Sequence, residues 1–186
     1  KKIYSDTFYN CNNIQNVYIG ENVEGIESQA FYRLLNCKNL IFAPNSKLSK
    51  IGDWSFYYLS NNTENGIDEV IIPPSVTEIG MYCFQYSNIK KITISASNIE
   101  TGAFWGCELT SVIISSKITS IGNAAFWGCN KLITMRVEAT TPPTLVDTDS
   151  ISSATTQIQV PMESVEAYKT ATNWSNFADI IVGYTE

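Results

Sequence analysis

The sequence predicts an α/β repeat solenoid: a right-handed superhelix of the leucine-rich-repeat type with short parallel strands and a C-terminal α/β cap. Three observations predict this fold. One unit recurs six times, successive copies are 20 to 28 residues apart, and each copy ends in a segment of alternating apolar residues. Units of this length build solenoids, because a single unit cannot bury its own apolar edge whereas stacked units can.

The most constant part of the unit is an isoleucine that is followed, five residues later, by a phenylalanine with a small residue before it. Further apolar residues follow the phenylalanine at intervals of two or three positions. The six pairs are Ile3/Phe8, Ile26/Phe31, Ile51/Phe56, Ile79/Phe84, Ile99/Phe104 and Ile121/Phe126. Residues 1–139 are therefore predicted to form six leucine-rich-type repeats that share one core, with the phenylalanines as a spine opposite the strands. The polar tract 60–66 lengthens copy three and predicts a loop.

Within each copy, the Val-x-Ile ending alternates with period two and is β-branched, which predicts a short strand with one buried face. The segment around the phenylalanine fits either a short helical turn or an irregular arc. Gly106 and Gly128 suit a bend out of that arc.

Residues 140–186 depart from the repeat pattern and predict a strand near 158–160 and a helix from about 162 to 171. We interpret them as a capping segment of the same structural domain, because the last repeat of a solenoid must be closed against water. The N-terminal end shows no equivalent segment, so the first copy is expected to have an open edge.

Composition excludes several function classes. The net charge is -6, and the twelve basic residues are spread singly, which disfavours nucleic acid as a partner. No apolar run is long enough to predict a membrane span. All five cysteines stand where other copies have apolar or small residues, and the chain has no histidine, so neither a metal site nor a cofactor is predicted. The five are Cys11, Cys37, Cys83, Cys107 and Cys129.

Catalysis is also disfavoured. Without histidine the usual acid–base and Ser-His machinery is missing, the carboxylates scatter without a common repeat position, and no phosphate-binding glycine motif occurs. We therefore expect no catalytic residues, and the protein is predicted not to be an enzyme.

The repeat resembles that of the BspA-like leucine-rich repeat proteins of bacterial surfaces. The segments that carry the resemblance are Ile121-Gly-x-x-Ala-Phe126-Trp-Gly-Cys129, Gly102-Ala-Phe104-Trp-Gly-Cys107 and Ile51-Gly-x-x-Ser-Phe56. The resemblance implies a secreted or cell-surface protein that binds an extracellular or host protein, and it supplies no catalytic residues. The sequence opens within a repeat and shows no signal peptide, so the export signal that the resemblance implies is expected to have been removed.

One candidate ligand-binding surface is the outward row, which we define as the middle residue of each Val-x-Ile segment. Its members are Tyr18, Ile41, Ile71, Thr93, Ile113 and Arg136. Four of the six are large and apolar. Strand propensity alone favours β-branched residues at such positions, but a contiguous apolar strip is also typical of an interaction site. We hypothesise that this row binds the ligand.

A second candidate is the aromatic column, the residues that directly follow the repeat phenylalanines. They are Tyr9, Tyr32, Tyr57, Gln85, Trp105 and Trp127. Such a column can bind a glycan through the flat faces of its rings, or it can shield the phenylalanine spine, which aromatic burial favours. A carbohydrate-binding module and a purely structural spacer are therefore the two alternatives to protein binding.

Overall fold

The computed structural model describes residues 1–62, 64 and 66–185, and it forms a solenoid of stacked coils. Within these residues the secondary structure is mostly short strands that pair in parallel. In chain order they are β1 (Lys2–Ile3), β2 (Asn16–Ile19), β3 (Gly25–Ile26), β4 (Asn39–Phe42), β5 (Lys50–Ile51), β6 (Ile67–Ile71), β7 (Glu78–Ile79), β8 (Ile89–Ile94), β9 (Asn98–Ile99), β10 (Ser111–Ile114), β11 (Ser120–Ile121), β12 (Thr134–Val137), β13 (Thr144–Leu145), β14 (Gln157–Pro161) and β15 (Ile181–Tyr184). The predicted α/β repeat solenoid is confirmed.

Each coil contributes one strand to each of two faces. The Val-x-Ile strands form the longer face, in which β6, β8, β10, β12, β14 and β15 make one sheet. The repeat isoleucines lie in two-residue strands, which join β1, β3, β5, β7, β9, β11 and β13 into a second parallel sheet. The sequence did not predict this second sheet, because two residues are too few to show a strand period.

The face of Val-x-Ile strands is divided between copies two and three. Strands β2 and β4 form a separate two-stranded sheet, and β4 is not hydrogen-bonded to β6. Two of the extra residues of copy three contact copy two, because the amides of Ser60 and Asn62 donate to the carbonyls of Leu34 and Leu35. The predicted loop 60–66 includes Thr63 and Asn65, which lie outside the described residues.

The phenylalanine side chains form one continuous stack, as predicted for the spine. Neighbouring ring centroids are 5.0 to 5.3 Å apart and the ring planes differ by 4 to 12°. The rings from Phe31 to Phe126 are buried, whereas Phe8 in the first coil is only partly buried. Offset stacking of this kind adds to the free energy gained from burial.

The backbone around each phenylalanine is a regular series of turns rather than the helical turn or irregular arc that we predicted. Residues two before and two after each phenylalanine have φ between 51 and 69°, in the left-handed region. These residues are Asp6, Asn10, Gln29, Arg33, Trp54, Tyr58, Tyr82, Tyr86, Gly102, Gly106, Ala124 and Gly128. Alternate amides donate to the next coil, as from Phe56 to Cys83 and from Phe104 to Ala125, both at 2.8 Å. Gly106 and Gly128, where we predicted a bend, lie two residues after the phenylalanine. Other copies have Asn, Arg or Tyr at this position, with the same left-handed conformation.

The cysteines occupy the core positions that the repeat predicted. Cys37, Cys83, Cys107 and Cys129 are buried, Cys11 is partly buried, and all five are free thiols. Burial raises the pKa of the Cys129 thiol to about 12. A thiol with such a pKa remains protonated at neutral pH, which makes it a poor nucleophile.

Residues beyond the repeats contribute strands to both sheets and a short helix. A 3-10 turn over Met162–Ser164 leads into α1 (Val165–Thr170), so the α-helix is shorter than the predicted 162–171 segment. Tyr168 in this helix and Trp174 after it are buried, and they donate to the carbonyls of Ala139 and Pro143, respectively, each at 2.8 Å. We propose from these contacts that residues 140–186 cap the repeat core.

Candidate ligand-binding surface

The outward row lies on the exposed face of the Val-x-Ile strands, where parallel pairing sets its members side by side. Ile71 aligns with Thr93, Thr93 with Ile113, and Ile113 with Arg136. Adjacent strands in a sheet are about 4.8 Å apart, so these side chains form a close line. The large apolar members of the row are exposed, whereas Thr93 and Arg136 are partly covered.

The row is interrupted at one place and extended at another. Tyr18 aligns with Ile41, but this pair belongs to the separate β2–β4 sheet, so the row is not continuous from Ile41 to Ile71. Beyond Arg136 it continues into Gln159 and the exposed Val182. Sequence reasoning missed these two residues, because they lie outside the repeat period that identified the others.

Arg136 gives the row a positively charged group in a fixed position. Its guanidinium carbon lies 3.8 Å from the centroid of the Tyr184 ring, and its Nε lies 3.6 Å from Oε1 of Glu138. A cation over an aromatic face gains about 0.5–1 kcal/mol at an exposed site. The ring and the carboxylate therefore both contact the guanidinium.

Polar side chains border the outward row. They belong to residues two or three positions before the row members in the same strands. Asn39 donates to Oδ1 of Asn16 at 2.6 Å, and Lys90 donates to Asp68 at 2.8 Å. The hydrogen bond from Lys90 lowers the pKa of Asp68 below its ordinary value. An apolar strip with a polar border has the general composition of a protein interface.

The aromatic column does not form one ladder. Tyr9, Tyr32 and Tyr57 stack with ring centroids 4.7 Å apart, so both faces of Tyr32 are covered by its neighbours. Burial raises the pKa of Tyr32, and the neighbouring Tyr9 raises it further. Past Gln85 the stack does not resume, since Trp105 contacts Tyr82 at 6.3 Å instead. The most exposed rings of the column are Tyr9 and Trp127 at its two ends.

The described part of the chain contains no cluster of His, Cys, Asp or Glu side chains that could hold a metal ion. Nor does any helix in this part have the length and apolar character needed to cross a membrane.

Comparison with protein families identifies the repeat. The BspA type leucine-rich repeat region matches residues 1–133 with six copies. The chain belongs to this family. No curated protein matches it. The six copies of the BspA-type match correspond in number to the six isoleucine–phenylalanine pairs of the sequence, so the family predicted from those residues is confirmed.

Two solved structures of leucine-rich repeat proteins share the fold of this chain. A leucine-rich cell surface protein from Faecalibacterium prausnitzii A2-165 is 22% identical, with a TM-score of 0.50 and coverage of 89% of this chain and 60% of that one. A leucine-rich repeat protein from Bacteroides ovatus ATCC 8483 is 17% identical, with a TM-score of 0.52 and coverage of 100% of this chain and 58% of that one. The chain therefore spans about three-fifths of each of these proteins, and the likeness concerns the fold.

Proposed function

We propose that this BspA-type chain is a noncatalytic, adhesin-like module that binds an extracellular or host protein through its outward row. The observation that carries the proposal is the row of exposed Ile and Tyr side chains, which lie on two hydrogen-bonded sheets. Large apolar side chains that water surrounds in the free protein release that water when a partner covers them.

The sheet beneath the row also favours binding. Its strands are paired on both sides from β8 to β14, so the backbone is already fixed and loses little conformational entropy on association. Arg136 adds an anchor of a type that is enriched at interface hot spots, and it is held in place by Tyr184.

A setting at the bacterial surface or outside the cell is part of the same proposal. It is supported by the family, and by the Faecalibacterium prausnitzii protein of similar fold, which is described as a cell surface protein.

The test replaces three members of the outward row, Tyr18, Ile71 and Ile113, with lysine. Their side chains are 66, 59 and 37% exposed, so lysine can be accommodated without disturbing the core. Binding to purified, immobilised extracellular-matrix proteins is measured by biolayer interferometry. We expect a loss of at least about tenfold in affinity, because lysine removes the apolar contact and places charge in the interface.

The matched control replaces Tyr4, Met81 and Val146 with lysine. These side chains are 67, 43 and 52% exposed, and they follow strands of the isoleucine sheet rather than lie on the outward row. Both triple variants add the same charge, so a general electrostatic effect would weaken both. The proposal requires that the control keeps wild-type affinity and that both variants keep the wild-type melting temperature. Equal affinity of the outward-row variant and wild type would contradict it.

The two alternatives are less well supported by the geometry. A glycan that stacks on the aromatic column would find Tyr32 covered on both faces and the column broken at Gln85. A structural spacer would need no exposed apolar row. Titration of tryptophan fluorescence with oligosaccharides tests the column, because Trp105 and Trp127 belong to it.

A further inference from the structure

A cleft of about 300 Å³ lies where the arc of copy three meets the arcs of copies four and five. It is lined by Tyr58, Asn61, Tyr86, Asn88, Gly106 and Glu108. These residues precede the Val-x-Ile strands, so they are not part of the outward row. The cleft is therefore separate from the surface proposed above, and the two can be tested independently.

Its lining combines two aromatic rings with amide and carboxylate groups. The Tyr58 and Tyr86 ring centroids are 5.1 Å apart and the planes are tilted by 46°, so the rings form the two sides of a shallow corner. The C–H face of a sugar packs on aromatic rings, because the ring face is negative and the C–H hydrogens are slightly positive. Sugar hydroxyls both donate and accept, and amides and carboxylates match them in pairs.

The polar groups are held in place before any ligand arrives. The Asn61 amide donates to the carbonyl of Tyr86 at 3.0 Å, which fixes its side-chain plane. Glu108 is ion-paired with Lys131 through one carboxylate oxygen, and its side chain is still 46% exposed. Because each of these contacts restricts a side chain, a ligand bears less of the entropy cost of ordering it.

Gly106 lets the Tyr86 ring occupy the cleft. Its φ is 66°, and a Cβ at this position would lie 2.6 Å from Cδ1 of Tyr86. Any other residue here would displace the ring from the corner. The glycine is thus part of the structure that shapes the cleft.

We propose that this cleft binds a single neutral hexose unit of a glycan. Its volume is at the small end of the range for ligand sites, which suits one sugar ring. Glu108 and the chain's net charge of -6 disfavour acidic sugars. Tyr58 and Tyr86 supply the packing surface, and Asn61 and Glu108 bind the hydroxyls.

The test measures binding of maltotriose, cellotriose and mannotriose by isothermal titration calorimetry, with trigalacturonic acid as the acidic comparison. The variant is Asn61→Ala with Glu108→Ala, which removes two hydroxyl-binding groups. We expect at least one neutral trisaccharide to bind, and the variant to bind it at least about tenfold more weakly, since each lost hydrogen bond to a charged or fixed group is worth about that factor.

The matched control is Asn36→Ala with Glu78→Ala. Asn36 occupies the same position in copy two and donates to the carbonyl of Asn12 at 2.9 Å, while Glu78 is ion-paired with Lys50. This control should bind the trisaccharide as the wild type does. The proposal is overturned if no neutral trisaccharide binds at 20 mM, roughly the weak end of small-ligand affinity. It is also overturned if the cleft variant binds normally, if the control loses binding equally, or if the acidic sugar binds best.

Discussion

In copies four, five and six, the side chain three residues after the repeat phenylalanine forms a hydrogen bond to the preceding coil. In copies five and six it is a cysteine, and the thiols of Cys107 and Cys129 donate to the carbonyls of Phe84 and Phe104 at 2.9 and 3.0 Å. In copy four it is Ser87, whose buried hydroxyl donates to the Phe56 carbonyl at 2.8 Å. The sequence predicted only that this position is buried. Because leucine fills it in copies two and three, the repeat pattern did not indicate that a thiol or hydroxyl here donates a hydrogen bond.

This contact predicts different outcomes for two substitutions of Ser87. Ser87→Ala removes a donor to Phe56 and an acceptor for the amide of Leu59, and it should lower the free energy of unfolding by about 1–3 kcal/mol. Ser87→Cys restores the donor that neighbouring copies use and should recover most of this loss. Urea denaturation measures both, with Ser111→Ala on the partly exposed face of β10 as the control. Equal stability of the Ala and Cys variants would contradict the role of the hydrogen bond.

The buried thiols predict a loss of stability in alkaline solution. Burial raises the pKa of Cys37 from about 9 to about 11. Below pH 9 the thiol is protonated in both states, and its contribution to stability is complete. Between pH 9 and 11 the unfolded chain loses the proton while the folded chain retains it, so the free energy of unfolding falls.

Chemical denaturation at pH 8, 9, 10 and 11 measures this decline, and Cys37→Ser should make it shallower. The control is Cys11→Ser, which removes a thiol that the core covers only in part. An identical pH profile for wild type and Cys37→Ser would contradict the assignment.

At the level of the element, the arc around each phenylalanine shows that the repeat pattern predicts side-chain burial but not backbone conformation. The spacing of isoleucine and phenylalanine predicted a buried ring in every coil, and the stacked rings confirm it. The left-handed residues on either side went unpredicted. They are glycine in few copies, and most of their amides donate to carbonyls of the neighbouring coil, a contact that the local sequence does not show.

Gly102 is a position where this conformation should be costly to change. Its φ is 62°, and a side chain would collide with the ring of Tyr82 in the preceding coil. Gly102→Ala should therefore destabilise the protein by about 1–3 kcal/mol. Gly20→Ala is the matched control, because a Cβ there would meet no atom within 4 Å and its φ is not positive. Thermal unfolding compares the two, and an equal effect of both would show that the arc tolerates side chains.

At the scale of the molecule, the sequence predicted the solenoid and the outward row but not how the face of Val-x-Ile strands is divided. Alternation within one strand shows which residues face outward. It contains no information on whether that strand pairs with its neighbour. The separation of β4 from β6 coincides with the extra residues that lengthen copy three in the sequence, and the continuation of the row to Gln159 and Val182 depends on strands that lie outside the repeat.

The divided sheet predicts that stability is uneven along the solenoid. Coils interact mainly with their neighbours, so a coil with fewer interactions can open without the others. Strands β2 and β4 pair only with each other, and Phe8 and Ile14 beside them are only partly buried. Strands β8, β10 and β12 are each paired on both sides over a fully buried core.

Hydrogen–deuterium exchange measured by mass spectrometry should therefore show faster exchange in β2 and β4 than in β10 and β12 under native conditions. Val17 and Leu40 face the core as Val112 and Met135 do, so these four positions form a comparison matched for strand position and side-chain burial. If all four exchanged at the rate of global unfolding, the break between β4 and β6 would have no energetic effect and the coils would unfold as one unit. Faster exchange confined to the first two coils would instead place the boundary between cooperative units at the insertion of copy three.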